Sequence, residues 1–316
     1  MSIKVRDIAF GRLQAPDLDE AEEFLTHFGL ARSARTSTAL YMRGSDAAHH
    51  IHVTHLGEPR LLGFAFEVSD AADLDRASFL PGASPVEAID EPGGGRRVRL
   101  TEPNGYSIEI VHGIERLPPI AVDRPLVNSG AEPLRRANAL FRPLPGPTPV
   151  KRLAHAVLST PKVEETLLWF QTMLGLIASD NVYLGGVETG DLFGSFSRVD
   201  RGSDHVDHHA FACIQGEAAG LNHFSFEVPD IDAVFLDQDY LKSLGKYDHI
   251  WGVGRHFLGS QVFDYWSDPW GRVHEHWADS DRLTADVPTN KWDVAEGMRV
   301  LWGEPAPEKF KDAVRP

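Results

Sequence analysis

The chain repeats itself, and this internal repeat constrains its fold more than any other feature of the sequence. The segment IAFGRLQAPDLDEAEEFLTHFGL of the first half matches LAHAVLSTPKVEETLLWFQTMLGL of the second half. In the same order, LLGFAFEVSD matches LNHFSFEVPD, and EPNGYSIEIV matches DPWGRVHEHW. Three matched blocks in one order indicate a duplication.

The repeated blocks predict both fold class and domain boundaries. Strand-like runs alternate with helix-like runs, so that each half contains two β-α-β-β-β units. Four such units predict an α+β fold of two tandem domains, each a curved mixed sheet around a cavity. We place the domains at residues 1–113 and 151–280. The proline-rich residues 114–150 between them are predicted to be a linker.

Composition indicates which binding partners are disfavoured and in which cellular compartment the protein is expected. The net charge of −15 disfavours nucleic acid or an anionic membrane as a partner. No stretch reaches transmembrane length and the chain begins without a signal-peptide pattern, so we expect a cytoplasmic protein. Cys213 is the single cysteine, which excludes an intrachain disulfide and a cysteine-based zinc site.

A carboxylate in the last matched block is the first candidate for a metal ligand. Glu275 stands between His274 and His276 in a predicted strand, so its side chain points to the face opposite both. On an inner face its charge must be compensated, either by a lysine or arginine or by a metal ion.

Two histidines occupy equivalent strands of the second half only. The repeat aligns three pairs of positions: His155 with Phe10, His223 with Gly63, and Glu275 with Glu109. Taken singly, each histidine is more simply a hydrogen-bonded core residue. Together they favour a 2-His-1-carboxylate site in the second domain and no metal site in the first, where Glu109 is a relic or a structural carboxylate. Such a triad leaves positions open on Fe(II) for an organic chelate and O2.

At these residues the chain resembles the type I extradiol catechol dioxygenases of the vicinal oxygen chelate superfamily. The resemblance covers both domains, and RLAHAVL, LNHFSFEV and RVHEHW carry its three metal-ligand positions. DHHAFAC matches the position of its acid–base histidine, which falls on His209, with His208 less favoured. GRH and FDYWSDPWG match the positions of two further active-site residues, His256 and Tyr265.

The resemblance implies a function and its cofactor. It implies that a catechol-type diol and O2 bind a non-haem Fe(II), with Mn(II) also compatible, and that the ring is cleaved next to the diol. His209 would be the acid–base group, while His256 and Tyr265 would hydrogen-bond the substrate. It also implies a homo-oligomer. The segments KWDV and WGEP resemble a C-terminal extension that closes over the site, which places this extension at residues 281–316.

Two other classes of function remain open from the sequence. A glyoxalase-like isomerase or lyase on the same scaffold usually takes carboxylates from both halves, which Phe10 and Gly63 argue against. A non-catalytic protein that binds aromatic ligands would be expected to lack His209, His256 and Tyr265.

Overall fold

The computed structural model describes residues 3–122, 126–143 and 146–311. Residues 123–125 and 144–145 of the predicted linker, and 312–316 of the predicted extension, lie outside the described residues. No helix in the described part of the chain combines the length and the apolar character needed to cross a membrane.

The first half forms an eight-stranded mixed sheet. Its elements are β1 (Asp7–Ala15), α1 (Leu18–His27), β2 (Ala31–Arg35), β3 (Ala39–Arg43), β4 (His52–Leu56), β5 (Arg60–Glu67), α2 (Ala71–Ala77), β6 (Glu87–Ala88), β7 (Arg96–Thr101) and β8 (Ser107–His112). The strand order is β2-β3-β4-β1-β5-β8-β7-β6. β1 pairs parallel with β4 and antiparallel with β5, so two β-α-β-β-β units join through their first strands.

The second half repeats this topology. Its elements are β9 (Arg152–Thr160), α3 (Val163–Leu174), β10 (Ile177–Leu184), β11 (Asp191–Arg198), β12 (Val206–Asp207), β13 (Phe211–Gln215), β14 (Gly220–Glu227), α4 (Ile231–Leu244), β15 (His249–His256), β16 (Val262–Ser267), β17 (Val273–Ala278), β18 (Arg282–Leu283), β19 (Asn290–Asp293), α5 (Val294–Gly297), β20 (Val300–Trp302) and α6 (Glu308–Lys311). The large sheet runs β19-β10-β11-β13-β9-β14-β17-β16-β15-β20, and β12 pairs with β18. The predicted α+β fold with paired units is therefore confirmed, while β12 and β18–β20 were not expected.

Local sequence explains where the helices begin and end. The side chain of Asp17 accepts the backbone N–H groups of Asp19 and Glu20 at the start of α1. Asp230 caps α4 in the same way, through the N–H of Ala233. Gly245 ends α4 with φ 60°, a conformation that glycine adopts without the strain other residues meet.

The two halves share one hydrophobic core. Phe170 of α3 lies between Phe64 of the first half and Phe211 of the second, with ring centroids 6.1 and 3.7 Å away. At the end of α1, the Phe28 ring stacks on His276 at 3.6 Å, and Nε2 of His276 donates to the Phe28 carbonyl at 2.8 Å. The face of β17 opposite to Glu275 therefore lies against the end of α1.

Both ends of the proline-rich segment are hydrogen-bonded to the first half. The N–H of Leu117 donates to the Ala47 carbonyl at 2.8 Å, and Nη2 of Arg43 donates to the Pro118 carbonyl at 2.9 Å. Farther along, the N–H of Val150 donates to the Gly29 carbonyl at 2.9 Å. These bonds hold both ends of the segment against the fold.

Gly63 marks a position where the first half has no space for a side chain. Its φ is +146°, and a Cβ built there would lie 1.8 Å from the Ser107 carbonyl oxygen. The repeat aligns this position with His223. The first half therefore cannot hold a histidine here without moving β8.

We predict that Gly63→Ala lowers the free energy of unfolding by at least about 3 kcal/mol, because backbone strain and overlap with β8 add. Gly130→Ala is the control, because nothing lies within 4 Å of a Cβ at that position. Urea unfolding followed by circular dichroism measures both variants. A Gly63→Ala midpoint equal to that of wild type would contradict the steric argument.

Candidate metal centre

Three side chains from distant parts of the chain meet in the second half. Nε2 of His155 lies 3.1 Å from Oε2 of Glu275, and Nε2 of His223 lies 3.5 Å from the same oxygen. The two Nε2 atoms are 3.4 Å apart. Among the described residues, these three form a group whose ligand atoms all lie within 4.8 Å of one another. The sequence predicted this convergence.

Strand register produces the convergence. β14 lies between β9 and β17, and Ser225 of β14 is paired with His155 on one side and Glu275 on the other. His223 stands two residues before Ser225 on β14, so its side chain points to the same face as that of Ser225. Three adjacent strands therefore deliver their side chains to one point on the concave face.

Within the part of the chain that the structure describes, no lysine or arginine forms an ion pair with Glu275. The side chain is completely buried, and its ion-pair contacts within the described ranges are with His155, His223 and, at 3.7 Å, His256. Burial by itself would raise the pKa of this carboxyl, but the three histidines outweigh burial and hold the pKa well below its usual range. The carboxylate is therefore ionised, and its neighbours are three imidazoles and the Tyr265 hydroxyl.

The equivalent carboxylate of the first half is compensated differently. Oε1 of Glu109 accepts Nε of Arg12 at 2.5 Å, and Oε2 lies 3.2 Å from Nη1 of Arg97. Arg12 also pairs with Glu91 at 2.8 Å. Glu109 is therefore the structural carboxylate that the sequence analysis allowed. The lysine or arginine partner considered for Glu275 is found here instead.

The residues that meet at Glu275 in the second half fit a divalent metal ion. Neither Glu275 oxygen has an aligned hydrogen-bond donor among the described residues, although imidazole nitrogens surround them. Nδ1 of His223 lies 2.7 Å from Oδ1 of Asn222, an arrangement in which the ring donates from Nδ1 and keeps a lone pair on Nε2. Two imidazoles and one carboxylate are the donor set of non-haem Fe(II) sites.

His256 and Tyr265 form a hydrogen-bonded pair at one side of the three donors. Nε2 of His256 lies 2.8 Å from the Tyr265 hydroxyl. Burial, and then the negative charge of Glu275, raise the pKa of Tyr265 well above its usual value. Tyr265 therefore keeps its proton and can donate a hydrogen bond.

His209 lies at another side of the site, with its ring centroid 4.0 Å from that of His155. Its Nδ1 is 3.0 Å from Nδ1 of His208, whose Nε2 contacts a carboxylate oxygen of Asp180. The sequence analysis named His209 but missed Asp180. Asp180 belongs to β10, and no local pattern indicates that its side chain reaches a residue 28 positions later.

The last described helix also contributes to the site. The ring of Phe310 lies 4.7 Å from that of Tyr265 and 6.1 Å from that of His223. Sequence reasoning expected a C-terminal extension over the site but did not identify Phe310. A lone phenylalanine in a charged tail carries no periodic signal that could have found it.

The chain is similar in sequence and in structure to known proteins. No family model matches the chain. Metapyrocatechase 2 of Cupriavidus necator is 31% identical over 312 residues, which cover 97% of this chain and 91% of that protein.

Two solved structures are similar at lower sequence identity and show the fold alone. Homoprotocatechuate 2,3-dioxygenase from Arthrobacter globiformis is 21% identical with a TM-score of 0.79, covering 99% of this chain and 92% of that one. The Mn(II)-bound glyoxalase from Novosphingobium aromaticivorans is 20% identical with a TM-score of 0.78, covering 97% and 94%. The near full-length relationship to the metapyrocatechase decides the family. The chain belongs to the type I extradiol catechol dioxygenases of the vicinal oxygen chelate superfamily, a family of ring-cleaving oxidoreductases.

Proposed function

We propose that this chain cleaves the ring of a catechol-type diol next to its two hydroxyl groups, with O2 as the oxidant and Fe(II) held by His155, His223 and Glu275. The observation that carries the proposal is the buried carboxylate of Glu275, which meets two Nε2 atoms and, among the described residues, pairs with no lysine or arginine. A metal ion supplies the missing positive charge.

The choice of metal follows from the donor set. When bound, Fe(II) would supply one centre for both diol and O2 and would lower the pKa of the diol hydroxyls. Mn(II) accepts the same nitrogen and oxygen donors, so it can replace Fe(II) at these ligands. The structurally similar glyoxalase contains Mn(II), which is consistent with this tolerance on the shared fold.

The surrounding residues then bind the substrate and transfer protons. His209 is 3% exposed and stands against His155, so it can exchange a proton with a diol held at the metal. The Tyr265 hydroxyl donates to a substrate oxygen, and His256 orients that hydroxyl through their 2.8 Å contact. Phe310 and the buried surroundings exclude water from the reacting atoms.

The glyoxalase-like alternative receives no specific support. That class usually takes carboxylates from both halves, and Glu109 of the first half is already bound by Arg12 and Arg97. A homo-oligomer also remains part of the proposal, and it is supported by the family resemblance only. A cytoplasmic location stays an expectation from the sequence.

The direct test loads the protein with Fe(II) under anaerobic conditions and adds air with a panel of catechols. We expect one O2 consumed per diol and a yellow ring-opened product measured by absorbance. The absence of O2 uptake with every diol would contradict the proposal.

We predict that Glu275→Gln loses bound iron and more than about 100-fold in kcat/KM, because loss of a ligand should exceed the 10–100-fold effect typical of outer hydrogen-bond partners. The matched control is Glu109→Gln, the same change at the repeat-equivalent position, which should bind iron as wild type does. Iron per chain is measured by a colorimetric chelator assay beside O2 uptake. Equal iron loss in both variants would argue against a site confined to the second half.

We predict that His209→Asn lowers kcat by about 10²–10⁴-fold, the usual contribution of general acid–base catalysis, while iron content stays unchanged. His205→Asn is the control, because His205 is an exposed histidine four residues away. Turnover per bound iron is the quantity to compare. Unchanged turnover in His209→Asn would remove this residue from the mechanism.

A further inference from the structure

A chain of buried hydrogen bonds leads away from His209 into the C-terminal segment. Nδ1 of His209 lies 3.0 Å from Nδ1 of His208, and Nε2 of His208 contacts Oδ2 of Asp180. The other oxygen of Asp180 accepts Nε1 of Trp292 at 2.7 Å. His208 and His209 are each 3% exposed and Asp180 is 4% exposed. The hydrogen bonds from His209 to Asp180 therefore lie in the protein interior.

With His208 taken as neutral, the chemistry of these atoms gives the direction of the hydrogen bonds. An ionised carboxylate only accepts, so Nε2 of His208 must carry the hydrogen that faces Asp180. The hydrogen bond from His208 holds the pKa of Asp180 below its usual value in spite of burial, so the carboxylate is ionised. In the neutral imidazole, Nδ1 of His208 is then an acceptor, and Nδ1 of His209 must donate to it. That leaves Nε2 of His209 with a free lone pair.

We propose that Asp180 and His208 position His209 for catalysis, by holding it in the tautomer whose Nδ1 carries the hydrogen and whose Nε2 can take a proton. The inference rests on the proposed function, in which His209 is the acid–base group. Asp180 and His208 touch neither substrate nor metal in this scheme and act through His209 alone.

The backbone around His208 supports a fixed ring orientation. The N–H of His208 donates to the Asp281 carbonyl at 3.1 Å, and its own carbonyl accepts Oγ of Ser179 at 2.6 Å. A Cβ at Gly259 would lie 3.0 Å from Nδ1 of His208, so the ring fills the space beside this glycine. With backbone and ring both held, the tautomer of His208 depends on Asp180.

The kinetic test compares three single variants. We expect Asp180→Asn to lower kcat about 10–100-fold with KM and iron content close to wild type, the range seen when an outer hydrogen-bond partner is lost. Trp292→Phe keeps the carboxylate and its contact with His208, so kcat should stay within about 3-fold of wild type. Asp237→Asn is the matched control, because Asp237 is a buried aspartate of α4 that accepts the N–H of Thr148 at 2.6 Å, away from the site. A purely structural role would give Asp180→Asn and Asp237→Asn the same loss in unfolding midpoint and unchanged turnover per iron.

The tautomer of His209 can be measured independently of enzyme activity. The measurement uses ¹⁵N–¹H correlation spectra of protein with ¹⁵N-labelled histidine, loaded with diamagnetic Zn(II). The His209 signals are those that disappear in His209→Asn. Wild type should show His209 protonated at Nδ1, and Asp180→Asn should shift it toward protonation at Nε2.

Wild-type His209 protonated at Nε2 would overturn the inference, and so would an unchanged tautomer and kcat in Asp180→Asn. If wild type consumes no O2 with any diol, the proposed function fails, whereas the spectra still decide whether Asp180 sets the tautomer of His209.

Discussion

A buried carboxylate must be neutralised, and this requirement separates the two halves of the molecule. Glu109 and Glu275 occupy equivalent places on β8 and β17. Glu109 is bound by Arg12 and Arg97, so its negative charge is neutralised by two side chains of the protein. The repeat aligns these arginines with two apolar residues, Val157 and Phe263. With both arginines replaced, the buried carboxylate of the second half is paired, among the described residues, with histidines.

The strand that carries Glu275 is fixed from its other face by the first half. His276 stacks on Phe28 and binds its carbonyl, while His274 packs edge-on against Phe24 at 5.2 Å. Burial lowers the pKa of both histidines to about 4, so they are neutral near pH 7 and pack as aromatic residues. The helix α1 is thus a support for the metal-binding strand, and both halves are needed to hold one site.

Much of this arrangement follows from sequence periodicity, and the limits of that reasoning are physical. The repeat shows that His155, His223 and Glu275 occupy strands of the second half that have equivalents in the first, and strand alternation gives the face of Glu275. The prediction that the three residues meet followed from these two observations. The roles of Asp180 and Phe310 were not predicted, because their contacts depend on side-chain direction and on tertiary packing between segments far apart in sequence. No repeat or period encodes such contacts. The strands β19 and β20 were also not predicted, because they are short, largely exposed and without a counterpart in the described first half.

The C-terminal segment adds strands and contacts that the repeated units do not contain. In the first half the sheet ends at β2 and β6, and the equivalent strands β10 and β15 are covered by β19 and β20. β19 carries Trp292, which binds Asp180, and the segment continues to Phe310 beside Tyr265. The added segment therefore pairs with both edge strands of the repeated sheet. It also places Trp292 beside Asp180 and Phe310 beside Tyr265, which are contacts that a bare repeat would not supply.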